Sequence, residues 1–284
     1  MAAIVLAGIA VIAIPSHLPV VPYSTILLDR SENEIAEIVR DERYRHRPTD
    51  LRSVPDFLET ALIAIEDRHY RSHLGISLRG IGRAIVRAAE TGSFPEGAST
   101  IPAQQVRNTL WPTAPRSIER KIAEFAIAFK RSLLFSKEEI LEGYLDSLSF
   151  GRLAYGPESG ARVWFGRPLS ALSRAELLAL VTIAKNPGRY DPIRSYDRFA
   201  ARYAVLAGRL STLGVLSSDE AQSLVSTPLL FLSTPPQDRL PYVRDFIASL
   251  HYPHHKDVSM RLSIDAGLTD QIHAIADWVR TGIV

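Results

Sequence analysis

Apolar positions along the chain fall into distinct regimes. Ala2 to Ile14 is an apolar run stopped by Pro15, shorter than the roughly 20 residues a bilayer-spanning helix needs. It lacks a basic leading region and an obvious cleavage site. Two readings stay open for it: a buried strand or helix, or the preferred one, the remainder of a membrane anchor or uncleaved signal. After a proline-broken stretch from His17 to Pro22, Ser24 to Asp29 reads as a short strand entering a turn.

From Pro55 the period turns helical. Leu58, Ala61, Leu62 and Ile65 recur at three- and four-residue spacing up to Glu66-Asp67. Gly92 to Gly97 reads as a loop, and Ser99 or Thr100 can cap a helix that Pro102 opens. Ile118, Ile122, Phe125, Phe129 and Leu133 form a stripe that predicts a helix from Ser117 to about Phe135. Two capping boxes, Ser136 to Glu139 and Ser173 to Glu176, open further helices, the second ending at Asn186-Pro187-Gly188. Another is expected from about Asp197 to Leu213, stopped by Gly214, with one more opened by Ser218.

The regular pattern ends at Thr227, where Pro228, Pro235, Pro236 and Pro241 are expected to break it. Beyond them Val258 to Asp265 alternates like a strand and Leu268 to Val279 looks helical. The expected division is therefore 1–22, an anchor remnant; 23–54, a strand and lead-in; 55–226, one all-helical domain; and 227–284, a linker with the start of a further module. The expected class is mainly α, with a short strand before the helices and a short α/β stub after them.

Composition narrows the function classes. With 46% hydrophobic and 23% charged residues the chain of 284 residues is globular rather than disordered. Thirty-three basic against thirty-one acidic residues leave a net charge of +2, which argues against non-specific coating of nucleic acid and leaves room for a local cationic site facing a phosphate or a membrane. The absence of cysteine excludes thiolate metal sites, thiol nucleophiles and disulfides.

Three groups could carry chemistry. Glu66 ends an apolar helical stripe and is followed by Asp67, His69 and His73; an apolar setting raises a carboxyl pKa toward the range useful for proton transfer, although an acidic pair at a helix end is ordinarily just solvated. Arg116, Arg120 and Glu124 lie at i, i+4, i+8 with Lys121 beside them. They form either an ordinary ion-pair ladder or a fork of donors for a phosphate or diphosphate, which Arg107 could join. His69 and His73 at i, i+4 have no third ligand at suitable spacing, so a structural hydrogen bond is the better reading of His73.

The order of these fragments is more specific than any one alone. Glu66-Asp67-Arg68-His69-Tyr70-Arg71-Ser72-His73-Leu74-Gly75 resembles the EDxxFxxHxG motif of the peptidoglycan glycosyltransferases (glycosyltransferase family 51), the domain found in class A penicillin-binding proteins. Gly97 to Asn108 resembles GxSTITQQxxKN, Arg116 to Glu124 resembles RSxxRKxxE, and Lys137 to Asp146 resembles KxxILExYLN. Phe150-Gly151, Tyr155-Gly156, Trp164-Phe165-Gly166 and Ala175-Glu176 through Asn186-Pro187 follow in the family's order. The strand at Tyr23 to Arg30 and the stretch Arg261 to Asp265 further resemble type 1C penicillin-binding proteins. In those a transpeptidase domain follows, and this chain is expected to stop before it. Against the family pattern stand Pro102 and Ala103 for threonine and glutamine, Arg107 for lysine, Asp146 for asparagine and Tyr70 for phenylalanine; Pro102 puts the local helix start in question.

The resemblance implies a lysozyme-like helical fold that polymerises lipid II, with displacement of undecaprenyl diphosphate and inversion. Glu66 and Glu124 match the family's catalytic carboxylates. Asp67, Ser99, Thr100, Gln104, Arg107, Arg116, Arg120 and Lys121 match its substrate-binding positions. No cofactor is required; a divalent cation, Mg or Mn, at the diphosphate is neither required nor ruled out. The implied partners are lipid II, the nascent glycan strand, a membrane surface and a cell-wall synthesis complex, with no nucleic acid. The implied place is the inner membrane, with the catalytic domain on its periplasmic or extracellular side. Ile76 to Phe94, where Leu78, Ile81, Ile85 and Val86 interleave with Arg79, Arg83 and Arg87, fits an interfacial helix or a surface helix packed on its own domain. Competing readings are an inactive membrane-anchored scaffold, a lysozyme-like transglycosylase that cleaves peptidoglycan, and an arginine-rich nucleic-acid binder. No lysine has a serine three residues before it, so acylation by β-lactams is not expected.

Overall fold

The computed structural model describes residues 17–19, 22–39, 45–76, 99–115, 117–236, 238–249 and 259–271. The apolar run Ala2 to Ile14, the amphipathic segment Ile76 to Phe94 past its first residue and the later part of the helix expected over Leu268 to Val279 lie outside them.

Helices dominate, and several start where a side chain serves the free N–H groups of the first turn. α1 (Asp56–Asp67) begins after Pro55. α2 (Ile101–Leu110) is capped by the Thr100 hydroxyl, which accepts from Ala103 N–H. Pro102 occupies the first turn of α2, where its missing N–H costs nothing and its fixed φ suits the helix, so this departure leaves the helix start intact. α3 (Ile118–Leu134) is capped by Ser117. α4 (Lys137–Asp146) and α6 (Arg174–Lys185) open on the two expected capping boxes.

Between α4 and α6 runs α5 (Pro157–Phe165), which the sequence pattern does not announce because Ser159, Gly160 and Ala161 blur its apolar stripe. α7 (Tyr196–Thr212) ends before Gly214, and α8 (Ser218–Ser226) opens on a third capping box, built on Ser217 and Glu220. The helix begins at the expected Ser218, with Ser217 as its cap.

The strands complicate the all-helical expectation for 55–226. β1 (Thr25–Leu28) pairs antiparallel with β2 (Glu34–Ile38) through a turn in which the Asp29 carboxylate accepts from the backbones of Ser31 and Asn33. β3 (Arg45–His46) pairs parallel with β4 (Ala154–Tyr155), so a two-residue strand interrupts the helical domain. Pro241 does not break the pattern but opens α9 (Pro241–Ser249), since proline is favoured at a first helical position. β5 (Ser259–Arg261) joins the sheet in the order β2-β1-β5, parallel to β1.

Two interiors result. The larger is built from α1 and α4 to α8 around Trp164, which is fully buried and donates its indole N–H to Phe150 O at 2.8 Å. The Arg152 guanidinium stacks on the same indole, 3.8 Å from its ring centre, and donates to Leu232 O at 2.7 Å. The smaller unites Leu27, Ile35 and Ala36 with Leu240, Val243 and Ala266. Residues from both ends of the described chain thus share one core, joined by backbone bonds from Leu240 to Ile35 and from Leu262 to Leu28. A third cluster lies between α2 and α3, where Leu18 packs against Ala103, Val106, Ile127 and Ala128. Among the described residues no helix is long and apolar enough to cross a membrane.

Trp164 carries the prediction for this architecture. Trp164→Ala removes the largest fully buried side chain and orphans Phe150 O, and should lower unfolding free energy by about 3–5 kcal/mol in urea titration.

Candidate active site

Glu66 is the penultimate residue of α1, and its side chain is 8% exposed. Its surroundings are polar rather than apolar, because the C-terminal end of α6 arrives beside it. Lys185, the last residue of α6, donates to Glu66 Oε1 at 2.9 Å and Oε2 at 2.8 Å. Gln104 of α2 donates to Oε2 at 3.0 Å. A carboxylate this far from water is held by charge-assisted bonds of this type. Arg107 follows one helical turn later and donates to Gln104 Oε1 at 3.4 Å. Burial, followed by the Glu66 charge, pushes the phenol of fully buried Tyr144 well up.

The second carboxylate, Glu124 of α3, is 2% exposed. Arg120 Nε approaches its Oε1 at 3.4 Å and Lys121 Nζ its Oε2 at 3.0 Å. Lys121 also donates to Ser99 Oγ at 2.6 Å and sits over the Phe125 ring. Since Gln104 Nε2 lies 3.5 Å from Ser99 O, the two carboxylates belong to one polar chain: Lys185, Glu66, Gln104, Ser99, Lys121, Glu124, Arg120. Of the spacing noted along α3, the Arg120–Glu124 rung is formed, and Lys121 links it to Ser99.

Other candidates face inward. Asp67 has both carboxylate oxygens 2.9 Å from His73 Nε2, and Oδ2 also accepts from Ile101 N–H at 2.9 Å. Thr100 donates to Gly75 O at 2.6 Å besides capping α2, and is 2% exposed. At Gly75 a positive φ of 76° and the proximity of Ala128 O leave no place for a side chain. Asp67 and Thr100 therefore tie the chain at 73–75 to the start of α2. Arg116 lies outside the described residues. The His69 ring accepts from Arg68 Nε at 3.0 Å, and among the described residues no group of three or more His, Cys, Asp or Glu could hold a metal ion.

Lys185 is the residue sequence reasoning passed over. A lysine ending an apolar helix reads as an ordinary complement to the helix dipole, and only its neighbourhood to Asn186-Pro187 hinted at more.

The chain is similar to known proteins over much of its length. The family model described as Transglycosylase matches residues 31–211. Penicillin-binding protein 4 of Bacillus subtilis (strain 168) is 30% identical over 80% of this chain and 37% of its own length. Penicillin-binding protein 1A of Escherichia coli (strain K12) is 34% identical over 62% of this chain and 21% of its own. A crystal structure of penicillin-binding protein 1A from Haemophilus influenzae aligns with a TM-score of 0.44 and 16% identity over 88% of this chain and 28% of that one. The chain spans between about a fifth and just over a third of the length of these curated relatives.

Glu124 yields the prediction of this site. Glu124→Ala leaves Arg120 and Lys121 facing each other without an anion, and should destabilise by about 3 kcal/mol in urea unfolding. Glu124→Gln keeps one acceptor, its amide oxygen, for one of the two cations and should cost less.

Proposed function

The chain belongs to the transglycosylase family, and on that premise we propose that it is a peptidoglycan glycosyltransferase that polymerises lipid II during cell-wall synthesis. The growing strand, carried on undecaprenyl diphosphate, is the donor; the 4-hydroxyl of the GlcNAc of an incoming lipid II is the acceptor. The observation that carries this reading is the polar chain from Lys185 through Glu66, Gln104 and Lys121 to Glu124. It puts a base and a cationic cluster within one network.

Glu66 acts as general base. The incoming hydroxyl takes the place of one of the two Lys185 contacts, gives its proton to the freed carboxylate oxygen, and attacks the anomeric carbon from the face opposite the diphosphate. The bond from that carbon to the phosphate oxygen breaks, the lipid diphosphate leaves with the electron pair, and the configuration inverts. A diphosphate is already a good leaving group, so charge neutralisation matters more than a strong acid. Arg107, Arg116, Arg120 and Lys121 supply that neutralisation, and Glu124 holds Arg120 and Lys121 in place to do so. Ser99 and Gln104 offer hydrogen bonds to sugar and phosphate. Asp67 and Thr100, whose polar atoms are engaged within the protein, act by holding the site together. No step in this scheme runs through a metal ion.

The lipid-anchored substrate puts the working face at the membrane surface, on the periplasmic or extracellular side. Residues 55–226 serve as the catalytic domain, and 227–284 as the approach to a further module. A peptidoglycan-cleaving relative would also use a single glutamate, but has no need for a cationic cluster about a second, buried carboxylate.

Glu66→Gln tests the proposal in a fluorescent lipid II polymerisation assay. Turnover should fall by at least about 100-fold, with undecaprenyl diphosphate no longer released and the thermal midpoint within a few degrees of wild type. Equal polymerisation by this variant sinks the mechanism. Anhydromuropeptide release by the wild type from sacculi, without lipid II consumption, points to cleavage, and inertness in both assays to a scaffold.

A further inference from the structure

The helix that carries Gln104 and Arg107 is held from a direction the catalytic scheme does not use. Asp146, the last residue of α4, has a side chain 13% exposed. Its Oδ2 accepts from the Tyr23 hydroxyl at 2.7 Å and its Oδ1 from Thr49 N–H at 2.8 Å. Buried His46 brings Nε2 to 3.8 Å from the same Oδ1. Burial, then the Asp146 charge, pushes the Tyr23 phenol well up, so it remains a donor. One carboxylate thus gathers both ends of residues 23–49, the stretch that contributes β1 and β2 to the smaller core.

On its other side α4 lies directly against α2. Gly143 faces the Gln105 amide, so a β-carbon there would need that side chain to shift, and densely packed interiors transmit strain. Next to Asp146, Ser147 Oγ accepts from Asn108 Nδ2 at 3.5 Å, and Asn108 Oδ1 in turn accepts from Arg107 at 3.5 Å. A continuous path of packed and hydrogen-bonded atoms therefore runs from Tyr23 and Thr49, through the end of α4, to the two α2 side chains in the site.

We propose that Asp146 is a positioning residue of the site: its carboxylate fixes α4 to residues 23–49, and α4 sets where α2 presents Gln104 and Arg107. The smaller core thereby acts on the site at a distance, with this anionic knot as its link to α4. This rests on the reading of the site as a lipid II polymerase for its kinetic consequence only; the mechanical part stands apart from it.

The test uses the full chain with Asp146→Ala, Asp146→Asn and Tyr23→Phe, followed by hydrogen exchange and by lipid II kinetics. Asp146→Ala should speed exchange about threefold or more in residues 101–110 as well as in 45–49. It should lower kcat about tenfold while KM for lipid II stays within about twofold. Asp146→Asn should restore most of both, since an amide oxygen accepts from Thr49 and its NH2 can donate to the Tyr23 oxygen. Tyr23→Phe removes one bond without threatening the fold, and should give a smaller change of the same sign. Loosening confined to 45–49, with α2 exchange and kcat at wild-type values in Asp146→Ala and Tyr23→Phe, overturns the proposal. Should the wild type fail to use lipid II, the exchange arm still decides it, which separates this failure from that of the catalytic reading.

Discussion

Two carboxylates withdrawn from water, Glu66 and Glu124, set the terms for the rest of the molecule. An ionised group cannot be left alone in such surroundings, since losing its hydration costs several kcal/mol unless donors replace the water. No single helix can supply those donors to Glu66. They come from α6 through Lys185 and from α2 through Gln104, so the ends of three helices distant in sequence must converge on one point. Glu124 draws most of its partners from its own helix, Arg120 and Lys121, and reaches the first site through Ser99. The larger core can be read as the frame that brings these helix ends together, with Trp164 and its neighbours holding α5 to α7 so that Lys185 arrives where it does.

The helices were largely legible because their signals are local. Serine and glutamate at capping spacing stop and start α4 and α6 wherever the rest of the chain lies, and the α3 stripe needs no partner to be seen. What stayed hidden depended on contacts across the chain. α5 has a weak stripe because Gly160 sits against the Phe150 ring, a fit visible only when both are placed. Pro241 looks like a breaker until the residue before it, Leu240, is found bonded to Ile35 at the start of α9. β3 and β4 are two residues each and have no pattern of their own.

Within the site the division is similar. Motif order pointed to Glu66, Gln104, Lys121 and Glu124, and these do meet. It could not tell which polar side chains join the polar chain between the carboxylates: the hydroxyl of Thr100 and the carboxylate of Asp67 carry the same motif signal as Ser99 and Gln104, yet they are turned to Gly75, His73 and Ile101. Lys185 escaped because a helix-ending cation has an ordinary explanation until the carboxylate opposite it is known.

The bonds made by Thr100 and Asp67 have a topological meaning. Gly75 and Thr100, far apart in sequence, are in hydrogen-bond contact, while Asp67, adjacent to Glu66 in sequence, bonds both His73 and Ile101 N–H. The start of α2 is therefore clasped to the residues just after α1 by contacts of its own, so the spacing of the two helices beside Glu66 is set at that point and not by the sheet or the larger core.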